Sequence, residues 1–296
     1  MNLQRQLAAS PAEHFAQRLA DLASACLLDE ARLTPKPGLV DQRGSGAHRD
    51  LTLALMERSA LSLRPTFYAL ALHSWQRPAD IALRQRVGLL GRAGEAQMMQ
   101  ETGGVNTHRG AIWALGLLVS AAAMCGGMGD VQQIVTCAAA LAQLPDDAAP
   151  KQFSKGQRAS ARYQVPGARE EAQRGFPHVI HLALPQLWHS RQQGADDSAA
   201  QLDALMAIMT SLSDTCVLSR AGMNGLTAMQ QGARAVLAAG GSHQPAGRQA
   251  LAQLDAKMLA LNASPGGAAD LLSAALFLDR VVSGRPEKKV VPYKAR

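Results

Sequence analysis

Apolar positions recur along the chain at helical spacing and never fall into two-residue alternation. Phe15, Leu19, Leu22, Cys26 and Leu27 mark one helix face that ends near Arg32. The run Thr34-Pro35-Lys36-Pro37-Gly38 follows, and prolines so close together enforce an extended loop. A helix resumes beyond Ser45-Gly46, with Leu51, Leu55 and Met56 on its stripe, and Pro65 starts another. The pattern predicts further helices over 84–100, 110–129, 131–144, 179–193, 199–214, 222–239 and 246–261, and a last one after Ser264-Pro265-Gly266-Gly267. From Lys151 to Pro177 the period is broken by Gly156, Pro166, Gly167 and Gly175, which predicts a long irregular segment of the functional or mobile kind. The tail from Gly284 is basic and expected to be loose. The expectation is an all-α fold: one domain over 1–296, a compact multi-helix bundle with Gly-rich loops between its helices.

Composition supports that palette. Of 296 residues 47% are hydrophobic and 18% charged, which marks a globular chain, and Ala and Leu crowd it while β-branched residues are sparse. The uncharged stretch from Gly110 to Gly129 has the length of a membrane span, but its Ala and Gly content favours a buried central helix. No membrane association is expected. Cys26, Cys125, Cys137 and Cys216 form no CxxC pair, and the N-terminus has no basic-then-apolar signal, so a cytoplasmic protein with reduced thiols is expected. The formal net charge of +7 suits a polyanionic partner, or simply a basic solvated surface. No basic block interleaved with aromatics appears, so nucleic acid is not the expected partner.

The chemistry lies between the helices, where polar Gly-rich loops run into helix N-termini that present unpaired N–H groups to anions. In the first loop Lys36 is a candidate phosphate clamp, while Asp41, His48 and Asp50 are candidate metal ligands or acid–base groups. The second offers Gly103 and Gly104 for close backbone approach, Asn106 as an N-cap, and His108 and Arg109 at the helix start. The third holds Lys155 and Arg169 as clamps, with Glu171 as a base or as the partner of Arg169. The fourth contains Asp214 and Arg220, and the fifth Gly266, Gly267 and Asp270. His178 and His181 share a helix face without a carboxylate or thiol to complete a metal set. Walker A, GxGxxG, GxSxG and HExxH motifs are absent.

Taken in order, these segments resemble the triphosphoribosyl-dephospho-CoA synthase family: Glu30 with TPKPGLVD (34–41), GAHRD (46–50), TGGVNTHRGAI (102–112), SKG…Y…GAREEA…GFP (154–177), DTCVLSR (214–220) and SPGGAADLL (264–272). The resemblance implies that ATP and 3′-dephospho-CoA are substrates: the 2′-hydroxyl of the acceptor displaces adenine from C1 of the ATP ribose, and the triphosphate stays on the transferred sugar. It implies Mg²⁺ with the nucleotide, with Asp41, Asp50 and Asp270 as the expected ligands. Catalysis is expected from Asp50, Asp214, Glu171 and His48. Phosphates are expected on Lys36, Arg109, Lys155, Arg169 and Arg220, and ribose or adenine on Asn106 and His108. The product would pass to a holo-acyl-carrier-protein synthase serving malonate decarboxylase or citrate lyase. The unfused chain favours the malonate decarboxylase branch, and a homodimer is an open option. The chain departs from the family pattern at Glu170 and Ala221, where Gly is expected, and at Cys216 and Ser219. A non-catalytic basic nucleotide- or nucleic-acid-binding module and a nucleotide N-glycosidase are the alternatives.

Overall fold

A computed structural model describes residues 10–150 and 154–284 and bears out the all-α expectation. In chain order the helices are α1 (Pro11–Arg32), α2 (Leu53–Ser62), α3 (Arg64–Ser74), α4 (Ile81–Glu101), α5 (Arg109–Met124), α6 (Val131–Gln143), α7 (Lys155–Tyr163), α8 (Ala168–Gln173), α9 (Leu184–Gln192), α10 (Asp197–Met209), α11 (Thr215–Ala238), α12 (Pro245–Ala260) and α13 (Gly266–Ser283). A π-helical turn, Val179–Ala183, leads into α9.

Helix α1 starts where its sequence dictates. Ser10 and Glu13 form a reciprocal capping box and Pro11 occupies the first turn, so orphan N–H groups are satisfied at once. Its stripe of Leu19, Leu22, Cys26 and Leu27 is buried against α3 and α13. Helix α5 is the uncharged helix expected to be central. Residues Ala114 to Ala123 along it are all buried, and α13, α3 and α6 pack around it. Among the described residues no helix is long and apolar enough to cross a membrane. Helix α10 is buried from Ala199 to Met209 and closes the core against α9, α11 and α13.

Three expectations need correction. The segment expected to be irregular contains α7 and α8. A capping box of Ser154 with Gln157 starts the first, and Glu170 folds back to accept from the Gly167 N–H at the start of the second. The helix expected over 199–214 ends at Met209, because Asp214 caps α11 instead of closing α10. Helix α11 therefore starts at Thr215, and its regularity breaks at Gly222, where φ is +61° and ψ −159°. Gly is the residue that tolerates that geometry. Residues 151–153 and the tail beyond Gly284 lie outside the described residues.

Candidate active site

Helices α5, α11 and α13 meet at their N-termini, and two aspartates join them. Asp214, the N-cap of α11, accepts through Oδ1 from the backbone N–H of Cys216 (2.8 Å) and Val217 (3.1 Å). Its Oδ2 accepts from Ala268 N–H of α13 at 2.9 Å. A Cβ at Gly267 would sit 3.0 Å from that oxygen, so Gly there lets the two helix ends close on one carboxylate. Asp270, just past the first turn of α13, accepts from Ala111 N–H of α5, and a Cβ at Gly110 would overlap its carboxylate. Three positive helix ends thus face a common acidic junction.

Burial pushes the Asp214 carboxyl above its ordinary value, while the N–H groups of Ala268, Val217, Cys216 and Gly267 pull it back. The Asp270 carboxyl is pushed well up by burial and by the charges of Glu30 and Asp214, with Ala111 N–H opposing. Unlike Asp214, the Asp270 residue keeps partial solvent access. Glu30, near the end of α1, is buried and paired with Lys36, whose Nζ lies 2.5 Å from Glu30 Oε1 and also donates to the Glu30 carbonyl. Lys36 is 1% exposed, so its ammonium faces the acidic junction from inside and not from the solvent.

The first loop is fastened to the turn between α12 and α13. Arg220 donates to Ala47 O, Asn262 O and Asn262 Oδ1, so its guanidinium latches two loops together. His48 Nε2 lies 2.8 Å from Ser264 Oγ, and its Nδ1 faces Asp50 Oδ1 at 3.7 Å. Burial and Arg220 hold the His48 imidazole below its ordinary value, with Asp50 opposing. Asp50 itself is exposed. Asp41 is buried and accepts from Lys36 N–H and from Arg43, which reaches on to Asp255. Burial would raise the Asp41 carboxyl, but Arg43 and the two backbone donors outweigh it and hold it below its ordinary value.

The second loop delivers its residues to the start of α5. Gly103 and Gly104 are exposed with positive φ, and Asn106 Oδ1 accepts from Arg109 N–H at 3.1 Å. Arg109 is ion-paired with Glu95 at 3.0 Å. His108 is the N-cap residue and is buried, with Nδ1 2.8 Å from Ser59 Oγ. Burial and the charge of Lys36 push its imidazole down to about 3, so it is neutral at physiological pH.

The third and fourth loops come together as α7 lies on the start of α11. A Cβ at Gly156 would be 3.1 Å from Thr215 Oγ1, and one at Gly222 would be 3.3 Å from the Tyr163 hydroxyl. Lys155 is exposed at the first position of α7, and Arg169 is exposed on α8. Glu171 accepts from His178 N–H (2.9 Å) and lies 2.8 Å from His178 Nδ1. A carboxylate therefore does sit beside the His178 that the sequence left without one. Gly266 packs on Cys216, whose Sγ would be 3.2 Å from an added Cβ.

Among the described residues no group of three or more His, Cys, Asp or Glu side chains could hold a metal ion. Asp41, Asp50 and Asp270 are not gathered into one set: the first is spent on Arg43, the second is exposed beside His48, and the third lies at α5. Sequence reasoning also missed Ser264 and Ser59 as partners of His48 and His108. Ser264 stood inside a quoted motif, which is a readable signal. Ser59 sits in an ordinary helix with none.

The fold and this junction define a class: a helical protein that gathers the N-termini of three helices around two aspartates. A family model described as ATP:dephospho-CoA triphosphoribosyl transferase matches residues 16–289, and the chain belongs to that family. A Klebsiella pneumoniae protein named "2-(5''-triphosphoribosyl)-3'-dephosphocoenzyme-A synthase" is 76% identical over 270 residues, covering 91% of this chain and 96% of its own. A Stutzerimonas stutzeri protein named "Probable 2-(5''-triphosphoribosyl)-3'-dephosphocoenzyme-A synthase" is 60% identical over 278 residues, covering 93% and 95%. A crystal structure from Archaeoglobus fulgidus shares the fold, with a TM-score of 0.50 at 17% identity over 77% of this chain and 99% of that one.

Proposed function

We propose that the chain transfers the triphosphoribosyl group of ATP to the 2′-hydroxyl of 3′-dephospho-CoA and releases adenine. The observation that carries this reading is the junction of the α5, α11 and α13 N-termini around Asp214, Asp270 and the Glu30–Lys36 pair. Breaking the bond from C1 to adenine leaves an oxocarbenium-like sugar, which a cluster of carboxylates stabilises. Adenine gains a proton as it leaves, and the acceptor hydroxyl loses one as its oxygen bonds C1.

Among the acids the resemblance nominated, partners separate the candidates. Asp214 is spent on backbone N–H groups of two helices, Asp41 on Arg43, and Glu171 on His178. Asp50 is exposed. Asp270 alone combines partial access, a place at the junction and no side-chain partner among the described residues, so it is the carboxyl assigned to proton exchange. The polyphosphates would be held by helix N–H groups and by Lys155 and Arg169, which are exposed. The described side chains form no metal cage, so Mg²⁺ belongs to this reading only as the partner of ATP. The product would serve an acyl carrier subunit of malonate decarboxylase or citrate lyase.

Incubation with ATP, Mg²⁺ and dephospho-CoA tests the reading. Adenine should appear only when dephospho-CoA is present. Release without acceptor would make the protein a nucleotide N-glycosidase, and no release with retained nucleotide binding would make it a binding module. Asp270→Asn should lower release by about 100-fold or more, the scale of a lost acid–base group.

A further inference from the structure

Beside the junction, Asp146 lies buried in the connection after α6, and two arginines of α4 reach its Oδ2: Arg84 at 3.3 Å and Arg92 at 2.7 Å. Arg84 is 6% exposed, and its Nε has no hydrogen-bond partner. Its guanidinium lies 5.5 Å over the ring of Trp113, one turn into α5. Trp113 donates from Nε1 to Ala168 O at 3.1 Å, which sets the next residue, Arg169, close enough for its charge to oppose that of Arg84. The two acidic neighbours of Arg169 are engaged elsewhere, Glu170 with Gly167 N–H and Glu171 with His178. Asp146 Oδ1 also has no partner, so Oδ2 makes both ion pairs alone.

Two guanidinium groups therefore share one carboxylate oxygen, a third lies within electrostatic reach of Arg84, and a buried donor is left unspent. A purely structural ion pair gains nothing from the surplus, because like charges brought together repel and an unmade bond to a buried charged donor is costly. A ligand with several negative charges in a row removes both penalties, since guanidinium groups bind phosphate oxygens in forked, charge-assisted pairs.

We propose that Arg84, Arg92 and Arg169, floored by Trp113, form a subsite for the polyphosphate chain of a substrate. Which chain occupies it rests on the transferase reading: the triphosphate of ATP or the diphosphate of dephospho-CoA. Inorganic triphosphate is the probe, titrated calorimetrically at low salt into the full-length protein. Arg92 is partly exposed and Arg169 exposed, so Arg92→Gln and Arg169→Gln test the subsite without disturbing the core, and Arg84→Lys tests the forked geometry. Each Gln variant should weaken triphosphate binding about tenfold or more, the equivalent of one charged hydrogen bond, with adenosine binding unchanged. Binding within twofold of wild type in both Gln variants would overturn the subsite. The kinetic arm separates the sources: in Arg92→Gln, a KM raised for ATP assigns the triphosphate and one raised for dephospho-CoA assigns the diphosphate, while neither rising overturns the substrate assignment. A wild-type protein that releases no adenine sinks the transferase reading, yet the triphosphate titration still judges the subsite.

Discussion

Asp214 shows how a single side chain separates stability from catalysis. Its carboxylate holds N–H groups of α11 and α13 that would otherwise be buried without acceptors. Asp214→Ala should lower stability by about 2–4 kcal/mol, and Asp214→Asn, which keeps one oxygen, by less. Urea midpoints measure this, and an unchanged midpoint in the Ala variant would remove the stapling role. The nomination of this residue as catalytic was a reading of residue type in a motif. What the motif could not show is that Ala268, 54 positions away, is one of its donors. Long-range register is absent from any local window, so the sequence brought the acids to notice without saying which were already engaged. Glu170 makes the same point in reverse. It departs from the family pattern beside a proposed clamp, and in the fold it caps its own helix.

At the scale of elements, legibility followed the apolar stripe. Helices α1, α5, α6 and α12 bury periodic residues, and the period announced them. Helix α7 buries only Ala159, so no stripe marked it, although Ser154 and Gln157 spelled its capping box. The break in α11 falls where the sequence starts a helix at 222, but the helical residues before it, Thr215 to Ala221, carry no stripe and read as a loop. Gly222→Ala should cost about 1–2 kcal/mol, since an L-residue is held there in the left-handed region and its Cβ crowds Tyr163. Thermal unfolding measures the loss. Adenine release should fall further than stability predicts, because α7 rests on α11 at that point; equal falls would mean that the break has no part in shaping the site.

For the whole molecule, the ionisable groups at the junction set opposite pH slopes. His108 has an ordinary value of 6.5 and a folded value of about 3, so the unfolded chain takes up its proton first as pH falls. Its contribution is fully present above 6.5 and is lost on the way towards 3, at up to about 1.4 kcal/mol per pH unit. Asp270 has the reverse sign: its folded value is raised, so its contribution is present below the ordinary 3.8 and lost as pH rises through the folded value. Urea unfolding between pH 7 and 5 should show a slope that His108→Gln flattens; an unaltered slope would mean that His108 is charged in the folded protein.

The acidic junction is drawn from Glu30, Gly110, Asp214 and Asp270, and α13 is the last of the described helices to leave the ribosome. Until it docks, the Ala111 N–H of α5 and the Asp214 Oδ2 of α11 lack their partners, and the inner faces of α1, α5 and α10 lack a wall. On the proposed assignment of Asp270, a nascent chain is therefore catalytically silent until α13 docks. The step that completes the acidic junction is the one that seals the apolar interior.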